Sequence, residues 1–301
     1  MAQLGLQVIQ QLVRAGSAIA PRLTGNLMFD RFCTPPRGPR LNSSEAAAAD
    51  QAKARLTSGS PGRVSYQGQG FPAGEIQFYR FAASTEKAQG TILLIHGWTG
   101  RAAFMTAFIE PLTSAGFDVI ACDLPAHGES SGSRLHIPLA VSALDALHRQ
   151  TGPWFGIIGH SFGGAIAPAL IGGLVEGYPP VTVERLVLIA APNSMPDLFR
   201  QFGQAVGLTA GSQRWFEANV KRLSGRELSI FDSADVLRQR RIPTLVLHAQ
   251  NDKEVPFANA LALAKAGSHV TVTEMPGLGH RRILYAPTTI KAAVAFLGAQ
   301  A

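Results

Sequence analysis

The stretch GHSFGG, residues Gly159 to Gly164, decides the fold. It follows the apolar run WFGII and leads into the small-residue segment AIAPAL, which predicts a strand that turns sharply into a helix at Ser161. Such a turn strains the backbone of its central residue, and a side chain two positions to either side would collide with its neighbours. Gly159 and Gly163 remove that collision. We therefore expect the turn to lift the Ser161 hydroxyl clear of the sheet.

Strand-like and helical segments alternate on both sides of this turn. Two β-rich stretches, RVSYQGQG and EIQFYRFAA, come first. Six short apolar runs follow, separated by segments of helical period: TILLI (91–95), FDVIAC (117–122), WFGIIG (154–159), RLVLIA (185–190), TLVLHA (244–249) and HVTVTEM (269–275). This order predicts an α/β fold with a mostly parallel central sheet of about eight strands and helices on both faces. In such sheets, functional sites lie at the carboxyl ends of the strands.

One connection is far longer than a simple crossover requires. Some fifty residues separate RLVLIA from TLVLHA, which predicts a small helical cap inserted at about residues 195–241. Apolar side chains recur there at roughly helical intervals: Phe199, Phe202, Val206, Trp215, Phe216, Val220 and Leu223. Most are expected to pack beneath the insertion. Phe199, Phe202 and Trp215 are the candidates that face a substrate pocket.

Composition limits the function classes. Of the 301 residues, 46% are hydrophobic and 16% are charged, and this hydrophobic content is enough to form a large core. The sequence contains no run of eighteen uninterrupted apolar residues, so a membrane span is not expected. The net charge of +7 is concentrated in residues 1–63, where eight Lys and Arg face three acids. We interpret this as a solvated arm rather than a site for anionic lipid or an acidic partner.

Nucleic-acid binding is not expected, because no basic stripe alternates with aromatic residues. Histidines and acids do not cluster at metal-ligand spacing, and no cofactor is implied.

Residues 1–62 are interpreted as an N-terminal helical extension, and residues 63–301 as the α/β domain. The first twenty residues lack a basic start, and Gln and Arg14 interrupt their apolar run, which favours a cytoplasmic protein over a secreted one. Apolar residues in this segment share one helical face, which either packs on the α/β domain or makes weak contact with a membrane surface. The face comprises Leu4, Val8, Ile9, Leu12 and Val13. The segment 33–49 resembles a linker, with a helix start at Ser43 or Ser44.

The two cysteines, Cys33 and Cys122, do not form a disulfide framework, which favours a reducing compartment. Cys122 lies within an apolar strand-like run, where a buried thiol is ordinary. The oligomeric state is left open by the sequence.

A serine hydroxyl is a weak nucleophile at neutral pH and needs a base that is itself held by an acid. His280, in MPGLGHRRIL, follows the last strand, and Asp252, in HAQNDKEVP, follows TLVLHA. The order Ser161, Asp252, His280 is the one that the strand-to-helix serine motif predicts. Asp197, after the preceding strand, remains an alternative acid.

The segment LLIHGWTG predicts the remaining part of the site. It ends another strand, so the Trp98 N–H is expected to join the Phe162 N–H in an oxyanion hole. We expect His96 to orient this loop, and we place His96, Trp98 and His160 beside the substrate pocket. His127 is expected to tie down its own turn.

From about Arg63 onward, these motifs resemble those of α/β-hydrolase-fold serine hydrolases of the bacterial esterase and lipase kind. The matching motifs, in family order, are HGW, DLPAHGES (123–130), GHSFGG, HAQNDKEVP and GLGH. The resemblance implies a catalytic triad of Ser161, Asp252 and His280, and hydrolysis of a small-molecule carboxylic ester through an acyl-enzyme. Thioester hydrolysis, acyl transfer and cofactor-free perhydrolysis remain open, as does a binding protein whose site is catalytically silent.

Overall fold

The computed structural model describes residues 2–36, 51–68 and 70–299, with side chains from residue 7 onward. The helix start predicted at Ser43 or Ser44 and most of the linker-like segment lie outside the described residues. The Leu4 side chain also lies outside them.

A central sheet organises the described chain. Its strands are β1 (Ser60–Gly68), β2 (Phe71–Phe81), β3 (Thr91–Ile95), β4 (Asp118–Cys122), β5 (Gly156–His160), β6 (Arg185–Ile189), β7 (Thr244–His248) and β8 (Val270–Glu274). Their order across the sheet is β1-β2-β4-β3-β5-β6-β7-β8. Strands β3 to β8 are parallel, whereas β2 pairs antiparallel with both β1 and β4. The predicted mostly parallel sheet of about eight strands is confirmed.

Helices occupy the connections between the strands. They are α1 (Ala2–Ile19), α2 (Pro21–Phe32), α3 (51–57), α4 (Ile109–Ser114), α5 (Ile137–Thr151), α6 (Phe162–Gly172), α7 (Met195–Val206), α8 (Ala210–Ser224), α9 (Ser233–Arg240), α10 (Ala258–Ala264), α11 (Gly279–Arg282) and α12 (Pro287–Gly298). A 3₁₀ turn, Ala102–Phe108, precedes α4. Polar side chains set several helix starts; the Nδ1 atom of His136, for example, accepts the Leu139 N–H at the start of α5.

Alternation along the strands divides the core between the two faces of the sheet. Leu93 and Ile95 point to the face covered by α5 and α6, whereas Ile92 and Leu94 point to the face covered by α4 and α12. This is the two-residue period of an extended strand. All four side chains are fully buried, which explains why the strand reads as a continuous apolar run.

The insertion predicted at 195–241 divides into two parts. Helices α7 and α8 leave the layer that covers the sheet, and we call them the α7–α8 pair. Helix α9 belongs to that layer instead. It packs on α6, with Val236 beside Gly172, and Arg240 donates a hydrogen bond to the Gly172 carbonyl over 3.1 Å.

The N-terminal helices pack against the α7–α8 pair rather than extending into solvent as an arm. Gln10 donates a hydrogen bond to the Ala205 carbonyl over 2.8 Å, and Asn219 donates one to the Asn26 side chain over 2.9 Å. Phe29 is buried within the main core cluster. The interpretation of these residues as a separable solvated arm is therefore corrected for α1 and α2.

The apolar face predicted on α1 is only partly covered. Val13 is buried, whereas Val8, Ile9 and Leu12 remain about half exposed or more. Within the described ranges, none of the helices has the length and hydrophobicity needed to cross a bilayer.

Close packing of α2 on α8 gives a first prediction. A Cβ atom on Gly25 would lie 2.5 Å from the Ser212 carbonyl oxygen and 2.7 Å from the Trp215 Cβ. Gly25→Ala should therefore lower the free energy of unfolding by about 1–3 kcal/mol, because helix α2 must shift away from α8. Urea denaturation measures the change.

Gly211→Ala, on the facing helix α8, is the matched control. The Cβ it adds would lie 3.5 Å from the Pro21 Cβ, an ordinary contact, so stability should stay constant or rise by up to about 1 kcal/mol. Equal effects of the two substitutions would contradict the packing explanation.

Candidate active site

The sharp turn predicted at Ser161 is present. Ser161 has φ 51° and ψ −122° and lies between the last residue of β5 and the first of α6. A Cβ on Gly159 would lie 2.7 Å from the Gly163 carbonyl oxygen, and one on Gly163 would lie 2.5 Å from the Ile95 carbonyl oxygen. These positions exclude side chains, because the oxygens they would meet belong to the backbone.

Folding brings the three predicted side chains into one hydrogen-bond relay. The Oγ of Ser161 lies 2.9 Å from Nε2 of His280, and Nδ1 of His280 lies 2.8 Å from Oδ2 of Asp252. The other carboxylate oxygen, Oδ1, accepts the N–H groups of Glu254 and Val255 over 2.8 and 2.9 Å. Both oxygens of Asp252 are therefore held in place.

The alternative acid, Asp197, lies elsewhere. Its carboxylate pairs with Arg200, one turn further along α7, and is exposed. Its backbone N–H is capped by the Ser194 hydroxyl at the start of the same helix. Of the two acids considered, only Asp252 contacts His280.

Hydrogen bonding keeps Asp252 ionised. Burial acts to raise the pKa of its carboxyl, but His248, whose Nε2 lies 3.5 Å from Oδ2, and hydrogen bonds from His280 and the Val255 N–H outweigh burial and hold that pKa well below its ordinary value. An ionised Asp252 accepts the Nδ1–H of His280. The Nε2 lone pair of His280 is then directed at the Ser161 hydroxyl, as a general base requires.

His160 links the turn to His280. Its Nε2–H donates a hydrogen bond to the backbone carbonyl of His280 over 3.0 Å, and the two rings are 5.0 Å apart between centroids. Burial, reinforced by the nearby His280, lowers the pKa of His160 to about 3. The ring is buried and is not among the side chains that line the cavity, which corrects its predicted place beside the pocket.

Two backbone amides flank Ser161 without a protein acceptor. Across the described ranges, no hydrogen bond takes the N–H of Trp98 or of Phe162. A Cβ on Gly97 would lie 2.7 Å from the Ser161 Cβ, so this glycine allows the Trp98 loop to approach the serine. The Phe162 amide also begins α6, whose dipole favours negative charge at that end.

Buried histidines fix the Trp98 loop to the DLPAHGES turn. Nε2 of His96 accepts the Leu124 N–H over 2.9 Å, and its Nδ1–H donates to the Gly97 carbonyl over 2.8 Å. Nε2 of His127 accepts the Thr99 N–H over 3.2 Å. His96 therefore orients the loop, as expected, but does not line the cavity. His127 fixes more than its own turn.

A cavity of about 700 Å³ opens on the Ser161 and His280 side chains. Trp98, Phe199 and Phe202 line it as predicted. Trp215 does not: its indole is 41% exposed and lies 5.0 Å from the Arg22 guanidinium carbon. Periodicity could not separate Trp215 from its buried neighbour Phe216, because consecutive helical residues differ by about a quarter turn.

Sequence reasoning missed the contribution of α2 to this cavity. The lining includes Met28, Phe29 and Phe32 from α2 and Cys33 just beyond it. The signal was present in NLMFDRF, where apolar residues recur at helical spacing. Glu254 was also missed. It lines the cavity, and its carboxylate lies 3.8 Å from Nε2 of His280.

A protein-family model described as "Alpha/beta hydrolase family" matches residues 92–293, more than half of the chain. The chain belongs to the α/β hydrolase family. The match includes every residue of the relay and both unpaired amides. Among curated proteins, no sequence match was found for this α/β hydrolase.

Solved structures share the fold of this α/β hydrolase at low sequence identity. An esterase from Exiguobacterium antarcticum is 16% identical, with a TM-score of 0.57, over 78% of this chain and 99% of that one. An esterase from Rhodococcus sp. ECU1013 is 18% identical, with a TM-score of 0.57, over 80% and 100%. A thioesterase domain from the curacin biosynthetic pathway is 16% identical, with a TM-score of 0.53, over 79% and 99%.

The hydrogen bonds of His96 predict a pH-dependent stability. Burial lowers its pKa from 6.5 to about 3 in the folded chain. Above pH 6.5 neither the folded nor the unfolded state is protonated at this ring, so it has no effect. As the pH falls from 6.5 toward 3, only the unfolded chain takes the proton, and the free energy of unfolding falls.

His96→Gln should make that fall shallower, since Gln keeps an acceptor for the Leu124 N–H but cannot take the proton. One proton contributes about 1.4 kcal/mol per pH unit in this window. Urea denaturation at pH 7 and pH 5, in wild type and variant, measures the difference. Identical slopes in the two proteins would count against a neutral buried His96.

Proposed function

We propose that this α/β hydrolase is a serine hydrolase that cleaves a carboxylic ester through an acyl-enzyme intermediate. Ser161 is the nucleophile, His280 the general base and acid, and Asp252 the residue that orients His280. The observation that carries the proposal is the continuous relay from Oγ through Nε2 and Nδ1 to Oδ2, with contacts of 2.9 and 2.8 Å. It lies beside two unpaired amides at the end of an apolar cavity.

The proposed acylation step uses each of these groups in turn. The Ser161 Oγ attacks the ester carbonyl carbon while Nε2 of His280 takes the hydroxyl proton. The ionised Asp252 stabilises the imidazolium that forms. The N–H groups of Trp98 and Phe162 donate hydrogen bonds to the oxyanion of the tetrahedral intermediate. When the intermediate collapses, Nε2 returns the proton to the leaving alcohol, and the acyl group stays on Ser161.

Deacylation uses the same groups in reverse. Nε2 of His280 takes a proton from a water molecule, and the resulting hydroxide attacks the acyl carbon. The same amides hold the second oxyanion, and the proton returns to the Ser161 Oγ as the acid leaves. Because one histidine serves both steps, its orientation by Asp252 affects the entire cycle.

The Ser161→Ala substitution separates catalysis from binding. Ester hydrolysis, measured with p-nitrophenyl butyrate, should fall at least about a thousandfold, because no nucleophile remains in the relay. A fluorophosphonate probe should label the wild-type protein once and leave the variant unlabelled. If the wild type resists the probe and neither protein hydrolyses the ester above the uncatalysed rate, the serine-hydrolase proposal is wrong and the protein is a catalytically silent binder.

The two acids weighed above give a matched pair of substitutions. Asp252→Asn keeps an oxygen for the Glu254 and Val255 amides but no longer holds the productive tautomer of His280. It should lower kcat by about ten thousandfold with a small change in KM. Asp197→Asn, which alters an exposed ion pair on α7, should leave kcat unchanged. Comparable losses in both variants would remove Asp252 from the assigned role.

A further inference from the structure

The family match begins at residue 92, but the lining of the active-site cavity begins much earlier in the chain. Eight of the lining residues come from helices α1 and α2 and from the four residues that follow α2: Ile9, Met28, Phe29, Arg31, Phe32, Cys33, Thr34 and Pro36. These residues share one cavity with Ser161 and His280. The cavity is therefore built by two separate parts of the sequence.

We propose that helices α1 and α2 form the roof of the active-site cavity, and that this roof sets the length of acyl chain that the enzyme accepts. The substrate class is an ester with an apolar acyl chain. The inference rests on the proposed ester hydrolysis for its main assay.

The chemistry of the lining supports an apolar acyl group. Among the described lining residues, the side chains with a fixed charge are Arg31 and Glu254. Arg31 is exposed and donates to the Thr34 carbonyl over 3.2 Å, while the half-exposed Glu254 pairs with Arg281 over 3.1 Å. Both charges are thus engaged near solvent. The interior walls are mainly aliphatic and aromatic, and a cavity of about 700 Å³ is large enough for a ligand of drug size.

The C-terminal end of α2 is fixed to the rest of the protein by an ion pair and a backbone hydrogen bond. Asp30 forms an ion pair with Arg134 over 2.8 Å, and the Leu135 N–H donates to the Cys33 carbonyl over 2.7 Å. These contacts join the end of α2 to the segment just before α5. The contact between Asn219 and Asn26 joins the same helix to α8.

Aromatic packing holds the roof against the α7–α8 pair. Phe32 lies edge-on to Phe199, Phe202 and Phe216, with ring centroids 4.8–5.5 Å apart. Phe29 contacts Phe199 and Phe216 at 6.3 and 6.0 Å. Because α2 is held on these sides, a larger side chain on its inner face should fill the cavity rather than displace the helix.

Met28 and Leu27 are adjacent residues of α2 that provide a matched test. Met28 is half-buried and lines the cavity, whereas Leu27 is 58% exposed and does not. Met28→Trp should lower the ratio of kcat/KM for p-nitrophenyl laurate to kcat/KM for p-nitrophenyl acetate by at least about tenfold. Leu27→Trp should leave that ratio unchanged. Met28→Ala, which enlarges the cavity, should move the preferred ester to a longer chain.

Binding provides a readout that does not depend on catalysis. In a Ser161→Ala background, calorimetric titration with decanol should give a Kd that Met28→Trp weakens by at least about tenfold and Leu27→Trp leaves constant. Circular dichroism and thermal unfolding confirm that each variant is folded.

The outcomes separate the two proposals. If the wild type cleaves acetate and laurate esters but Met28→Trp and Leu27→Trp have equal effects on their ratio, the roof does not set chain length. A second outcome is that the wild type cleaves neither ester, while the Kd for decanol changes in Met28→Trp but not in Leu27→Trp. In that case the proposal of ester hydrolysis is wrong, and the proposal that α1 and α2 cover the cavity stands. Decanol binding that is insensitive to Met28 overturns the roof in either case.

Discussion

The close approach of backbone segments around Ser161 is the constraint on which the site depends. Glycines at 97, 159 and 163 leave no room for side chains, so β3, β5 and the start of α6 meet at van der Waals distance. The positive φ of Ser161 costs on the order of 1–3 kcal/mol, which the surrounding buried sheet must offset. The Ser161 N–H donates a hydrogen bond to the Ile189 carbonyl over 2.9 Å. This bond connects the strained residue to the neighbouring strand β6. A single larger residue at any of these three glycine positions would separate Ser161 from the amides beside it.

Neutral, buried histidines extend this rigidity from the turn to the neighbouring loops. His96 and His127 connect the Trp98 loop to the segment after β4, and His160 connects the turn to the backbone of His280. Burial lowers the pKa of each of these three rings, so each keeps one donor and one acceptor nitrogen. Only a neutral imidazole can satisfy both kinds of partner that His96 and His127 have. The loops are thus positioned by hydrogen bonds within the protein, before any substrate arrives.

Sequence patterns predicted the sheet, the turn and the relay because these depend on local signals and on one general rule of topology. Apolar runs define strands, glycines define the turn, and parallel strands bring their carboxyl ends, with Asp252 and His280, to the same edge. The direction of side chains in the α7–α8 pair did not follow from the pattern. Trp215 faces Arg22 while Phe216 is buried, and only the packing of α2 on α8 decides which of the two points inward. That packing joins residues about two hundred positions apart.

The joint packing of α2 with the α7–α8 pair also explains why the fold family alone does not define the substrate. The aligned esterase structures cover about four fifths of this chain and nearly all of their own. The relay and its amides lie within the family match, whereas Met28, Phe29 and Phe32 lie before it. Phe29 and Phe32 share one aromatic cluster with Phe199, and all three side chains share one cavity with Ser161. The N-terminal helices are therefore part of both the core and the site, and removing them would expose the cavity as well as the core.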